Sequence, residues 1–143
     1  MASFSKCYAI KKNDFIKAGD ASIKIKNLLK STDIDPAIIR RVAVCGYEGE
    51  INVAMHGGNG KICIDIGENQ ITIKIDDDGP GIEDIDLAMK KGFSTATDKW
   101  REMGFGAGMG LPNMFKNADK FNIESEKGNG THITMEFSLK GNI

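Results

Sequence analysis

The chain has 143 residues, of which 41% are hydrophobic, and a formal net charge of −1 at pH 7. This length is typical of a single domain, residues 1–143, with an ordinary globular core. The near-zero charge gives no basic surface for nucleic acid, and no apolar run approaches the roughly 20 residues of a membrane-spanning helix. The amino-terminal residues lack the apolar segment of a signal peptide, so we expect a cytoplasmic protein that contacts neither nucleic acid nor membrane.

The three cysteines, Cys7, Cys45 and Cys63, are odd in number and widely spaced. No Cys-x-x-Cys pair occurs, so the pattern favours neither a zinc site nor a disulfide framework. We therefore expect three buried, reduced thiols.

The first part of the chain predicts one strand and two helices. Residues 4–10 form a strand candidate, and Asn13 can cap a helix that runs to about residue 30. Asp35 followed by Pro36 is a strong helix start, because a capping carboxylate precedes a proline of the first turn. This second helix is predicted to extend to residue 56, where a glycine-rich stretch ends it.

The remainder predicts a hairpin, two more helices and a final pair of strands. The segment 92–108 carries little periodicity, and we predict a mobile loop there. Trp100 within it is either a lid residue or part of a partner surface. Because strands and helices segregate rather than alternate, an α+β layered domain is favoured. The predicted strands cover residues 62–66, 71–75, 121–126 and 131–139, and the predicted helices residues 84–90 and 109–118.

Three polar residues lie at helical spacing on the second predicted helix. Glu48, Asn52 and His56 are each four positions apart, which places them on one face. The amide oxygen of Asn52 is a hard ligand that suits Mg²⁺, and Glu48 could take a proton from a hydroxyl that attacks a phosphate. The alternative is a solvated polar stripe that includes Glu50 and Asn59.

Two glycine-rich motifs follow. Asp-Asp-Gly-Pro-Gly-Ile at residues 77–82 comes after a predicted strand, and Gly-Phe-Gly-Ala-Gly-Met-Gly-Leu at residues 104–111 precedes a predicted helix. A carboxylate among glycines can accept a hydrogen bond from a base amino group, and N–H groups at a helix start bind anions. Together they predict a nucleotide with its base at Asp77 and its phosphates at the second motif. The first motif could instead be a tight turn with solvated acids, and the second is neither a Walker nor a Rossmann motif.

In their order along residues 36–137, these motifs resemble the ATPase family shared by gyrase, the large heat-shock chaperone, histidine kinases and MutL. The order is Glu-x-x-x-Asn-x-x-x-His, Asp-x-Gly-x-Gly-Ile, Gly-x-Gly-x-Gly-Leu and finally Gly-x-Gly-Thr at residues 128–131. The resemblance implies a left-handed ATP-binding fold. This is a two-layer α+β sandwich of a mixed, mostly antiparallel sheet with helices on one face, and ATP lies between the helices and a lid.

The resemblance also implies roles for individual residues. Asn52 would coordinate Mg²⁺, Asp77 would read the adenine amino group of ATP, and Glu48 would be the general base. The other implied nucleotide-binding residues are His56, Gly79, Gly81, Ile82, Ser94, Thr95, Gly104, Gly106, Gly108, Met109, Gly110, Leu111 and Thr131.

Within that family, a chain this short looks like the bacterial serine kinases that regulate sigma factors, and particularly like the stressosome switch kinases. Asp78 stands where the family usually has asparagine, and the segment between Thr95 and Gly104 is longer than in that subgroup. The resemblance implies an Mg-ATP-dependent protein serine/threonine kinase of a partner-switching circuit. Its substrate would be a STAS-domain regulator, with a sigma factor or a phosphatase as further partners. The alternatives are an anti-sigma factor that acts by sequestration, a nucleotide-binding module that acts by conformational change, and a simple ATPase.

Overall fold

A computed structural model describes residues 4–14, 16–56, 58–82, 84–90 and 109–139. The predicted loop at residues 92–108 lies outside these ranges. In the ranges described, no helix is both long enough and apolar enough to cross a membrane. The elements in chain order are β1 Phe4–Ile10, α1 Asp20–Lys30, α2 Pro36–His56, β2 Gly60–Ile66, β3 Gln70–Asp77, α3 Ile85–Ala88, α4 Gly110–Asn117, β4 Lys120–Ser125 and β5 Thr131–Ser138.

The five described strands form one sheet in the order β1-β2-β3-β5-β4, and each of these pairings is antiparallel. Side chains alternate between the two faces, as strand geometry requires. On β3, Ile71, Ile73 and Ile75 are buried beneath the helices, whereas Lys74 on the opposite face is exposed. One face of the sheet is therefore apolar and covered, and the predicted α+β sandwich is confirmed.

Helix α2 lies at the centre of the helical layer, because it packs on α1, α4 and the sheet. Its start was predicted correctly: Asp35 Oδ1 accepts a hydrogen bond from the N–H of Ala37 at 2.9 Å. Gly49 faces Ile75 of β3, and a Cβ at Gly49 would collide with the Ile75 side chain. The glycine therefore lets α2 approach the sheet closely, and it holds the second half of α2 above the end of β3.

The start of α1 differs from the prediction. Asn13 has a left-handed φ of 57° and does not cap the helix, which begins at Asp20. The first N–H groups of α1 are instead bound by the carboxylate of Glu50, at 3.1 Å from Ala21 and 2.8 Å from Ser22. Glu50 is only 3% exposed, so the interpretation of this residue as part of a solvated stripe is wrong.

The expectation of three reduced thiols is wrong for two of them. Cys7 and Cys63 are opposite each other in the β1–β2 pairing, with Cα atoms 4.0 Å apart, and form a disulfide. The two residues are 56 positions apart in the sequence, and spacing alone does not reveal which strands pair. Cys45 is a free, buried thiol, as expected, and burial raises its pKa to about 12.

Candidate functional site

Two of the polar residues predicted on α2 meet the start of α4. The side-chain amide of Asn113 donates a hydrogen bond to Glu48 Oε2 at 3.4 Å. Gly110, the first residue of α4, lies close to Asn52. A Cβ added to Gly110 would be 3.0 Å from the Oδ1 and Nδ2 atoms of Asn52. A carboxylate and an amide oxygen are thus brought together beside the N-terminus of a helix, where N–H groups lack intrahelical partners.

The environment of Glu48 suits a proton acceptor. The side chain is half-buried, and burial raises its pKa, an effect that the hydrogen bond from Asn113 partly opposes. A carboxylate with a raised pKa binds a proton more readily than an exposed one. His56 ends the same helix, and burial lowers the pKa of its ring, which favours the neutral form.

Asp77 occupies the end of β3, directly opposite Thr131 at the start of β5. The N–H of Gly79 donates to Asp77 Oδ1 at 2.9 Å, which fixes the carboxylate within its own turn. Burial raises the pKa of Asp77, while the backbone hydrogen bonds from Gly79 and Thr131 lower it. The first glycine motif and the final Gly-x-Gly-Thr motif are therefore neighbours in space, although Asp77 and Thr131 are 54 positions apart in the sequence (131 − 77).

Ser125 joins these two motifs, and sequence reasoning missed it. Its hydroxyl accepts a hydrogen bond from the N–H of Ile82 at 2.7 Å and donates to the carbonyl of Gly130 at 2.8 Å. Its Oγ also lies 2.9 Å from Thr131 Oγ1. The turn at residues 127–130 was the available signal, because a hairpin closed there pairs Ser125 with Thr131.

Gly130 must be glycine for two reasons. Its φ is +77°, and a Cβ there would collide with the backbone carbonyl of Asp77. Gly128, in the same turn, has a φ of +86°, but apart from its two chain neighbours no described residue has an atom within 4 Å of the point that its Cβ would occupy. The two glycines share a conformational requirement, and only Gly130 adds a steric one.

We expect Gly130→Ala to destabilise the fold by about 3 kcal/mol or more and Gly128→Ala by only about 1 to 2 kcal/mol. The second substitution introduces only the strain of a left-handed Cβ, whereas the first also pushes the backbone of Asp77 away. Urea denaturation of the two variants measures the difference. Equal midpoints would show that the contact between Gly130 and Asp77 is not tight.

The other predicted site residues divide into three groups. Leu111 is 7% exposed and belongs to the core, where it anchors α4. Met109 precedes α4 and is half-buried. Gly81 has a φ of +76°, and a Cβ at this position would collide with the backbone carbonyl of Glu126. Outside the described residues lie Ser94, Thr95, Gly104, Gly106 and Gly108.

The helical layer lies on an antiparallel sheet, with an anchored carboxylate at a strand end and an amide–carboxylate pair beside a helix N-terminus. This arrangement is typical of a two-layer nucleotide-binding domain. The comparison with known families agrees. The family described as "Histidine kinase-, DNA gyrase B-, and HSP90-like ATPase" matches residues 25–141. The chain belongs to this family and therefore carries an ATP-binding domain.

Individual relatives refine the comparison. A protein of Clostridium acetobutylicum named "Anti-sigma F factor" is 34% identical over 74% of this chain and 76% of its own length. "Serine/threonine-protein kinase RsbT" of Bacillus subtilis is 32% identical over 76% of this chain and 78% of its own length. Among solved structures, "Mycobacterial sensor histidine kinase MprB" has a TM-score of 0.53 at 13% identity, covers 94% of this chain and 97% of its own, and shows the fold.

Proposed function

We propose that the protein is an Mg-ATP-dependent serine/threonine kinase of a partner-switching circuit, which phosphorylates a STAS-domain regulator. The observation that carries this proposal is the convergence of Glu48 and Asn52 on the first turn of α4. A general base there would lie beside a group suited to a phosphate-bound metal. The similarity to a protein named as a serine/threonine kinase supports the same reaction.

The residues present suit Mg²⁺ and a nucleotide. The amide oxygen of Asn52 is a hard ligand, and Mg²⁺ is typically held by one or two protein groups together with substrate phosphates. When bound, Mg²⁺ would neutralise negative charge on the phosphate oxygens. The N-terminal N–H groups of α4 begin beside Asn52 and are suited to phosphate, and the anchored carboxylate of Asp77 is suited to the amino group of adenine.

In the proposed reaction, the oxygen of the acceptor hydroxyl forms a bond to the γ-phosphorus as the bond to the ADP oxygen breaks. Glu48 accepts the proton that the hydroxyl loses. Asn52 and Asp77 fix the two ends of the nucleotide, so that the γ-phosphoryl group lies in line with the incoming oxygen. Positioning and charge stabilisation supply most of the rate enhancement in transfers of this kind.

A second candidate function is an anti-sigma factor whose main output is capture of a sigma factor. Relatives with this kind of name, at 34% and 36% identity, favour it. In either case we place the protein in the cytoplasm, with a STAS-domain antagonist, a sigma factor and a phosphatase as candidate partners. In a compartment rich in thiol reductants, the disulfide of Cys7 and Cys63 would be open to reduction.

Transfer of radiolabelled γ-phosphate to purified STAS-domain proteins tests the proposal. We expect transfer that requires Mg²⁺ and modifies a serine or threonine of one such protein. Tight capture of a sigma factor without transfer to any STAS-domain protein would support the second candidate and contradict the first.

A further inference from the structure

An open groove runs between α1 and α2 and meets the site described above at Glu48. Its volume is about 740 Å³. Apolar side chains line it, and two of them are unusually exposed for their type: Ile23 at 56% and Tyr47 at 37%. Ile34, Ile39 and Val44 also line it. An exposed apolar patch rimmed by polar residues typically marks an interaction surface.

The groove is basic. Among the described residues that line it, Lys26, Lys30 and Arg40 are positively charged and Glu48 is the one acidic residue. These described lining residues therefore carry a formal charge of +2 (3 − 1), whereas the whole chain carries −1. Lys26, Lys30 and Arg40 are all exposed, and none forms an ion pair with another described residue. A partner that fits this surface is apolar on one side and acidic at its edges.

The geometry of α2 links the groove to the candidate active site. Arg40, Val44, Glu48 and Asn52 are spaced by four residues, and such a row drifts by about 40° at each step around a helix with 3.6 residues per turn. The row therefore begins in the groove and turns toward α4. Glu48 lines the groove and is also bonded to Asn113 of α4. The groove thus ends at the proposed base.

We propose that this groove docks an acidic amphipathic segment of the protein that accepts the phosphoryl group, with the acceptor hydroxyl at its Glu48 end. This inference rests on the proposed function. Glu48 follows Arg40 by eight residues, which is about 12 Å along a helix. Acidic side chains of the docked segment therefore lie about 12 Å, or two helical turns, from its serine or threonine.

A direct test needs no natural partner. Two labelled helical peptides of about 14 residues share one leucine face and carry either glutamate or lysine on their flanks, and fluorescence anisotropy measures their binding. We expect the acidic peptide to bind at least tenfold more tightly, with an affinity that falls as salt is added. Lys26→Glu combined with Arg40→Glu should abolish that preference. The matched control combines Lys61→Glu with Lys74→Glu, which makes the same charge change on the exposed face of the sheet.

A second test uses the kinase reaction with its STAS-domain acceptor. The double variant should raise the KM for the acceptor about tenfold to a hundredfold, with kcat and Mg-ATP affinity unchanged. An unchanged KM, or equal binding of the two peptides, would overturn the docking proposal even if the kinase activity is present. Preferential binding of the acidic peptide by a protein that transfers no phosphate would support the groove and refute the proposed reaction instead.

Discussion

Asp77→Asn is expected to weaken ATP binding by about 10²-fold, because a charged acceptor is lost from a partly buried site. Hydrogen bonds to charged groups contribute about 1.5 to 3 kcal/mol, and each 1.4 kcal/mol is a factor of ten in affinity. The carboxylate of Asp77 is held by the N–H of Gly79 at 2.9 Å and is aligned opposite Thr131. Calorimetry with Mg-ATP and Mg-GTP measures both affinity and preference. The ratio of ATP affinity to GTP affinity should become smaller in the variant, since an asparagine amide can also donate to the guanine carbonyl.

The adjacent carboxylate provides a matched control. Asp76 points to the other face of the sheet and pairs with His132 at 2.7 Å, so Asp76→Asn removes the same charge one residue away. We expect it to leave ATP affinity unchanged. Similar losses in both variants would mean that local folding, and not the Asp77 side chain, is responsible.

The pH dependence of binding follows from the same carboxylate. Asp77 is a charged, and therefore stronger, acceptor for an amino group only when it is ionised, which holds above its pKa. Burial raises that pKa above the ordinary value of 3.8. As pH falls, ATP affinity should therefore begin to decline at a higher pH than it would if the carboxylate of Asp77 had the pKa of an exposed aspartate. The titration of ATP itself is common to parent and Asp77→Asn, so the difference between the two proteins isolates the contribution of Asp77.

Asn52→Ala should remove Mg²⁺-dependent ATP binding and leave the fold intact. Asn52 is half-buried and touches the start of α4. An alanine at position 52 is smaller than asparagine and therefore creates no steric clash with α4. Losing groups that support a metal typically costs about 10- to 100-fold in affinity, and a direct ligand costs at least as much. The measurement is calorimetry with and without Mg²⁺. Unchanged Mg-ATP affinity in both Asn52→Ala and Asp77→Asn would refute the proposed nucleotide site.

Much of this fold could be predicted from local signals. Asp35 and Pro36 mark a helix start through capping chemistry that acts within a few residues, and the strands of the β2–β3 hairpin show alternating polarity. The start of α1 could not be predicted in this way. Its cap is Glu50, a side chain from another helix, so the true boundary depends on tertiary packing.

The same division applies to the site. The spacing of Glu48 and Asn52 predicts a shared face, because helix periodicity is local. Asn113 and Ser125 were missed because their roles arise only when distant segments meet. The disulfide of Cys7 and Cys63 has the same cause, since it requires the pairing of β1 with β2. Motif order added what local patterns lacked, because it indicates which separated segments meet around one ligand.

Glu48→Gln is expected to slow phosphoryl transfer by about 10²-fold while leaving Mg-ATP affinity close to that of the parent. Loss of a general base typically costs about 10² to 10⁴, and a largely dissociative transition state depends less on proton removal, so the lower part of that range applies. Glutamine keeps the size and a hydrogen bond to Asn113 but accepts no proton. A matched control is Glu68→Gln, an exposed residue of the β2–β3 turn.

The pH profile of the transfer rate separates catalysis from structure. The base acts only when ionised, and burial raises the pKa of Glu48 above its ordinary value of 4.5. The parental rate should therefore fall as pH drops through this raised pKa, and the same limb should be absent from Glu48→Gln. If the variant transfers phosphate at the parental rate, Glu48 has no part in the chemistry. If its rate is low but still falls with the parental pH dependence, another group takes the proton, and Glu48 acts only by holding Asn113 and the start of α4 in place.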